Sequence, residues 1–134
     1  MPLDSNLVQE FVVAAHGDLA RVSELLDSTP GLVNATWDWG DGDFETALGG
    51  AAHMGRKEIA TYLLDQGARL DLFCAAMLGK TEIVRAAMED DPSAIHTLGP
   101  HGITLIQHAI VSGQDHIAEM IRAAPSYGPE GTTS

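Results

Sequence analysis

The sequence has little cysteine, few basic residues and no long apolar run. Cys74 is the single cysteine among 134 residues, so no internal disulfide can form, which fits a reducing cytoplasm. Seven Lys and Arg residues stand against 19 Asp and Glu residues, which gives a formal charge of -12. A surface of this charge repels nucleic acid and anionic lipid. We therefore expect neither a nucleic acid nor a membrane as a partner.

Familiar catalytic and metal-binding motifs are also missing. The chain contains no glycine-rich phosphate loop, no G-x-S-x-G elbow, no H-E-x-x-H and no C-x-x-C. Its polar, acidic start, MPLDSNLVQE, is unlike a secretory signal. The length suits one domain. From these absences we expect a cytoplasmic domain with no cofactor and no metal site. The oligomeric state stays open, with a monomer favoured.

What the chain does have is an internal repeat. Each copy carries small or apolar residues, then a glycine, then a second segment with apolar residues at helical spacing. The glycines suit the left-handed turns that end helices. The four copies are AAHGDLARVSELL, AAHMGRKEIATYLL, AAMLGKTEIVRAAM and HAIVSGQDHIAEMI, with turn glycines Gly17, Gly55, Gly79 and Gly113.

These segments resemble the ankyrin repeat, a unit of about 33 residues that opens T-P-L-H-x-A. The stretches TALGGAA from Thr46 and TLIQHA from Thr104 match that opening, and GRKEIATYLLDQGA matches the second helix of the unit. The resemblance covers nearly the whole chain. The overall layout of the chain is similar to that of small stand-alone bacterial ankyrin proteins. The resemblance implies an all-α solenoid and a protein-binding function. The expected layout is one domain over residues 1–124 with repeats at about 7–36, 44–69, 70–98 and 101–124, followed by a disordered tail, 125–134.

The repeat is uneven in its first half. Gly17 and Gly55 lie 38 residues apart, whereas Gly55 and Gly79 lie only 24 apart. We interpret this as an enlarged first finger loop, WDWGDGDFE, beside a deleted second finger. The enlarged loop carries both tryptophans of the chain. We expect it to fold across the gap, and the inner-helix residues that it would cover are Phe73, Cys74 and Met77.

Histidines and acids supply the candidate chemistry. Several of them should approach one concave face, and His with Asp or Glu is the composition of acid-base sites and of some metal sites. The candidate catalytic residues are His53, His101, Asp38 and Asp43. The candidate binding residues are Trp37, Asp38, Trp39, Asp43, Phe44, Glu45, His16, His53, Phe73, Met77 and His101.

Structural roles compete with these functional ones. His16 and His53 precede turn glycines and can simply cap helix ends. His108 suits a hydrogen-bonded packing role, and a lone inner-helix cysteine such as Cys74 is usually a small buried hydrophobe. The acids of the enlarged loop can be ordinary turn residues. Its tryptophans can plug the gap as well as stack on a ligand.

Two functional hypotheses follow. The first is a binding module that holds a protein partner with Trp37, Trp39 and Phe44 as aromatic anchors, which requires exposed tryptophans. The alternative is a small-molecule site, or a cofactor-independent acid-base enzyme of the isomerase or cyclase type, under the loop from Trp37 to Glu45. The alternative requires inward-pointing Trp rings and a histidine that faces a carboxylate.

Overall fold

The computed structural model describes residues 1–128 of the chain. Over that range the protein is mostly helical, with one small antiparallel sheet of two strands. The α-helices are α1 (Ser5–Ala14), α2 (Leu19–Ser28), α3 (Ala47–His53), α4 (Lys57–Asp65), α5 (Leu72–Leu78), α6 (Thr81–Asp90), α7 (Leu105–Val111) and α8 (Asp115–Arg122), and the strands are β1 (Thr36–Asp38) and β2 (Phe44–Thr46).

Short polar side chains begin the helices α3, α5 and α7. Thr46 accepts a hydrogen bond from the Gly49 amide, and Asp71 accepts one from the Cys74 amide. Thr104 and Gln107 form a reciprocal capping box at the start of α7. Each cap satisfies a backbone amide that has no partner inside the helix. The predicted helix start at Thr46 is thereby confirmed.

Three of the four predicted turn glycines are left-handed. Gly55, Gly79 and Gly113 have φ between 70° and 80°, a region in which residues with a Cβ are strained. Gly17 does not have positive φ, so that prediction is wrong. There the chain leaves α1 through an extra turn, in which the Asp18 amide donates to the Ala14 carbonyl.

The helices pack in pairs that follow one another along the chain. Within each pair α1 contacts α2, α3 contacts α4, α5 contacts α6 and α7 contacts α8; between pairs α1 contacts α3, α3 contacts α5 and α5 contacts α7. The apolar core forms two clusters. One lies around Phe11, Leu48 and Leu63, and the other lies around Leu105 and Ile117. Within residues 1–128, no helix combines the length and apolarity that a bilayer crossing requires.

The enlarged finger loop is a β-hairpin rather than an irregular loop. Strands β1 and β2 pair with Trp37 opposite Glu45. The next connection is short, because α4 ends at Asp65 and α5 begins at Leu72, and residues 66–71 form no strand. A third finger follows later, where Leu98 pairs with Thr104 across a tight turn.

The hairpin does not close over the gap as expected. A groove of about 420 Å³ remains between the hairpin and the third finger. Cys74 and Met77 are buried, but within the first core cluster, whereas Phe73 lines the groove. The hairpin reaches the third finger instead through Asp43, which bonds His101.

The C-terminal end differs from the predicted tail. Pro125–Tyr127 forms a 3₁₀ turn, in which the Ser126 hydroxyl donates to the Pro92 carbonyl and the Ser126 carbonyl lies 2.7 Å from the His96 ring. The rest of the predicted disordered tail, 129–134, lies outside the described residues.

Candidate functional site

Four of the predicted site residues meet at one point beside the hairpin. His16, Glu45, His53 and His101 each offer one atom, and these atoms all lie within 4.8 Å of one another. His16 follows α1, Glu45 lies in β2, His53 lies in the last turn of α3 and His101 lies at the tip of the third finger. We call these four residues the histidine–glutamate cluster. It joins parts of the chain that are up to 85 positions apart in sequence.

Glu45 is the centre of the cluster. Its side chain is fully buried, and the Trp39 indole Nε1 donates a 2.8 Å hydrogen bond to Oε1. The Nε2 atom of His16 lies 3.2 Å from Oε1, and that of His53 lies 3.0 Å from Oε2. Burial alone would raise the pKa of Glu45, but the contacts from His16, His53 and Trp39 outweigh it and hold the pKa far below its usual range. Glu45 therefore carries a full negative charge.

His16 is held from both sides of its ring. Nδ1 lies 2.8 Å from the Val12 carbonyl, and Nε2 lies 3.1 Å from His53 Nε2. The contact with Glu45 raises the pKa of His16, against the opposing effect of burial. The interpretation of His16 as a helix-end cap is thus correct, and the same ring also reaches the cluster.

Gly50 makes room for the His16 ring. A Cβ built on Gly50 would lie 2.6 Å from His16 Cε1, closer than real Cβ contacts allow. The neighbouring Gly49 has no such constraint, since a Cβ there would meet Glu45 and Pro100 at 3.4 Å or more. The second glycine of TALGGAA therefore serves the cluster directly.

His101 is fixed by a single carboxylate. Asp43 accepts hydrogen bonds from the His101 backbone amide at 2.8 Å and from ring Nδ1 at 2.7 Å. The backbone of His101 is left-handed, with φ at 61°, a strained conformation that persists only where the surroundings hold it. The hydrogen bond from the His101 amide is the main reason that the pKa of Asp43 is lowered. Asp43 is charged and orients the ring so that Nε2 faces Glu45, 3.5 Å away.

The proton positions decide what the cluster can hold. A carbonyl can only accept, so the Val12 contact requires the proton of His16 on Nδ1. The charged Asp43 requires the same of His101. In their neutral forms both rings then present Nε2 lone pairs to a carboxylate. Converging lone pairs need positive charge between them, which either protons on the imidazoles or a metal ion can supply.

The remaining predicted site residues lie outside the cluster. Asp38 is a turn residue whose carboxylate accepts from the Gly40 and Gly42 amides. Trp37 packs against the first core cluster, and Met77 is fully buried. Phe44 is exposed and lines the groove together with Phe73. The two tryptophans therefore have different roles, Trp37 as a core-packing residue and Trp39 as a hydrogen-bond donor to Glu45.

The other candidate side chains are structural. His108 is buried and its Nδ1 bonds the Thr104 carbonyl, which confirms the packing role. Burial raises the pKa of the Cys74 thiol to about 12, so it is a poor nucleophile. His96 bonds the Ser126 carbonyl, and His116 lies 2.5 Å from the Thr81 hydroxyl.

Sequence reasoning placed Glu45 among the binding residues but did not identify it as the centre. It did not identify Val12 or Gly50 at all. One signal was available: His16 and His53 occupy equivalent repeat positions, and equivalent positions lie side by side when repeats stack. No protein-family model matches the chain, and the search of curated proteins found no match either.

Proposed function

We propose that the protein is an ankyrin-type repeat protein that binds a divalent transition-metal ion at the histidine–glutamate cluster. The observation that carries the proposal is the convergence of four ligand atoms from four separate elements, with outer partners on two of the rings. Metal-ligating histidines almost always donate their second ring N–H to a carbonyl or a carboxylate. Val12 and Asp43 are partners of this kind.

The distances between the ligand atoms fit an ion. With metal–ligand bonds of about 2.1 Å, neighbouring ligand atoms lie roughly 3.0 Å apart in an octahedron and 3.4 Å apart in a tetrahedron. His53 Nε2 lies 3.0 Å from Glu45 Oε2, His16 Nε2 lies 3.1 Å from His53 Nε2, and His16 Nε2 lies 3.2 Å from Glu45 Oε1, so these contacts involve both carboxylate oxygens. His101 Nε2 lies slightly further out, 3.5 Å from Glu45. A small movement of the third finger would complete the coordination shell.

The ligand types select the class of metal. Imidazole nitrogens suit zinc, iron, copper and nickel, while an all-oxygen site would suit magnesium or calcium. Three imidazoles and one carboxylate therefore favour an ion such as Zn²⁺ or Fe²⁺. Glu45 supplies one negative charge, so a divalent ion leaves the cluster with a net charge of +1, offset by Asp43 on the outer side of His101.

The site is open on one side, which fits a reactive centre better than a closed structural one. The side chains of His16 and His101 are 23% and 33% exposed, whereas that of Glu45 is fully buried. An ion held by the cluster would face that open side and could bind water or a small ligand there. Catalytic zinc sites combine three protein ligands with such an open position, so four protein ligands leave a position free only at a coordination number above four.

This proposal is supported better than either earlier hypothesis. A protein-partner function stays a prediction: Trp37 packs on the core, whereas Trp39 bonds Glu45 but is still 38% exposed. The acid-base alternative required a histidine that faces a carboxylate, and the cluster meets this requirement, but three imidazoles around one carboxylate favour a metal ion over a single acid-base pair. The resemblance to ankyrin repeats is supported by the helix pairs that pack in chain order.

The test is metal analysis of purified protein after removal and restoration of Zn²⁺ by dialysis. The wild-type chain should retain about one ion, as a preformed site of this kind does. His53→Ala and His101→Ala should each lose it. The matched controls are His96→Ala and His116→Ala, which remove histidines outside the cluster and should retain the ion. Equal retention by all four variants would overturn the proposal.

A further inference from the structure

The gap left by the short second connection is a separate site. The groove between the hairpin and the third finger has a volume of about 420 Å³. We call it the gap groove. The side chains that matter to its chemistry are Asp43, Phe44, Asp71, Phe73 and Leu98.

The charge in the gap groove has one sign. Asp43 and Asp71 both line it, and no Lys or Arg belongs to the lining formed by the described residues. Asp71 uses Oδ1 to cap α5, at 2.8 Å from the Cys74 amide, which leaves its second oxygen for another donor. With a formal charge of -12 on the whole chain, anions are repelled and cations attracted.

The rest of the lining is apolar and aromatic. Phe44 is 59% exposed and Leu98 is 62% exposed, and the two line the groove from opposite fingers. Phe73 adds a second ring from α5. Aromatic faces attract organic cations through the negative charge of the ring face. A ligand with an apolar body would cover surface that otherwise remains in water.

The Nε2 atom of His108, next to Phe73, is a buried acceptor without a hydrogen-bond partner. His108 Nδ1 bonds the Thr104 carbonyl, so Nε2 is an acceptor, and it has no hydrogen bond although it is fully buried. The centroids of the His108 and Phe73 rings lie 4.8 Å apart, with the two rings tilted by 46°. Its Cε1, the carbon bonded to Nε2, lies 3.4 Å from where a Cβ on Gly99 would stand, and Gly99 lines the groove. His108 is not itself a lining residue, so this unsatisfied acceptor lies one layer behind the surface of the gap groove.

We infer that the gap groove binds an organic ammonium ion, with its N–H donors toward Asp71 and its apolar body between Phe44, Phe73 and Leu98. The acceptors, the absence of basic groups from the described lining and the two rings all favour this class over neutral or anionic ligands. This site goes beyond the proposed metal function. It depends on none of the four metal ligands, although Asp43 borders both sites.

The first experiment compares three probes that share a phenylethyl body. Phenethylammonium, neutral 2-phenylethanol and anionic phenylacetate are titrated into the full chain while amide NMR signals are followed. We expect the cation to shift the Phe73 and Gly99 amides with an affinity at least about tenfold above that of the neutral probe, and to weaken as salt is added. No shift at those amides, or equal binding of the neutral or anionic probe, would overturn the inference.

Two conservative variants locate the binding. Asp71→Asn removes the charge but keeps a good helix cap, and Phe44→Leu removes an exposed ring but keeps an apolar side chain. Each should weaken phenethylammonium about fivefold. Glu58→Gln removes one charge at the start of α4, outside the groove, and is the matched control. An Asp71→Asn variant that binds as tightly as this control would contradict the site.

The two proposals can fail separately. The titrations are run once with a chelator present and once with Zn²⁺-loaded protein. Binding of the cation in the presence of chelator supports the gap groove whatever the metal analysis finds. If the cation binds under neither condition although the loaded protein holds Zn²⁺, the groove proposal is refuted and the metal proposal is unaffected.

Discussion

Glu45 and His108 are both fully buried polar side chains, and each has one buried atom without a hydrogen bond. Their surroundings differ. Glu45 Oε2 has His53 Nε2 only 3.0 Å away, yet the two atoms are not aligned as a hydrogen bond. His108 is surrounded by Phe73 and its own helix. Nitrogen atoms of Trp39 and of three histidines surround the Glu45 carboxylate. No hydrogen-bonding atom of the described residues pairs with His108 Nε2. Burial of a polar group therefore indicates a metal site only when other ligand atoms converge on it.

The environment also sets the charge of each group in opposite ways. Burial opposes ionisation of both side chains. At Glu45 the contacts from His16, His53 and Trp39 overcome burial, and the carboxylate stays charged. At His108 burial is the largest effect and lowers the pKa, so the ring is neutral. We expect the first residue to respond to metal ions and the second to respond to pH.

The largest effect that tests this contrast comes from Gly50→Ala. The added Cβ would displace the His16 ring, so Zn²⁺ affinity should fall by about 100-fold, as when a ligand loses its support. Gly49→Ala is the matched control, since both glycines lie in α3 and only one touches His16. Isothermal titration with Zn²⁺ measures both. Equal affinities would mean that His16 is not a ligand.

A smaller effect is expected for Trp39→Phe. The variant keeps an aromatic ring near His101 but loses the N–H that orients Glu45. Loss of an outer-shell partner costs at least about tenfold in metal affinity. Trp37→Phe changes the tryptophan that packs on the core and should leave the affinity unchanged. Competition against a chromophoric chelator gives the Zn²⁺ affinity of both variants. An unchanged affinity in Trp39→Phe would show that the indole N–H does not support the metal site.

The smallest effect concerns the pH dependence of stability and belongs to His108. The pKa of His108 is lowered in the folded state, mainly by burial, while Asp71 acts in the opposite direction. As pH falls through about 6.5, His108 binds a proton in the unfolded chain but stays neutral in the folded chain. The contribution of His108 to folding stability should therefore decline from pH 7 toward the lowered pKa, while the raised pKa of His16 acts in the opposite direction.

Urea unfolding of metal-free protein at several pH values tests this expectation. His108→Asn removes the titrating ring, so its stability should fall less steeply between pH 7 and pH 5 than that of the wild type, whatever its absolute stability. Its Zn²⁺ affinity should equal that of the wild type. A slope identical to the wild-type slope would show that another group causes the acid sensitivity.

Much of this organisation was visible in the sequence. The repeat pattern predicted the helix pairs, and the start at Thr46 was located correctly. His16 and His53 could be expected to lie together because they hold equivalent positions in adjacent repeats. His101 and Asp43 were candidates because both lie in finger segments. These features depend on short-range patterns, which one sequence displays.

The role of Glu45 could not be read in the same way. Its inward direction is set by the register of the hairpin, in which Glu45 pairs with Trp37. The segment WDWGDGDFE has no clear alternation of polar and apolar residues, so it was interpreted as a loop. A cleft beneath the hairpin was predicted, but its openness was not, because the length of a connection does not determine how far the neighbouring hairpin extends across it. Gly17 was misjudged because α1 ends in an extra turn.

The most direct test of the central claim is a crystal structure of Zn²⁺-soaked protein with anomalous scattering data at the zinc edge. We predict one strong peak beside the hairpin, roughly 2.0–2.2 Å from the Nε2 atoms of His16, His53 and His101 and from a carboxylate oxygen of Glu45. A zinc-saturated crystal with no peak among these four side chains would contradict the account.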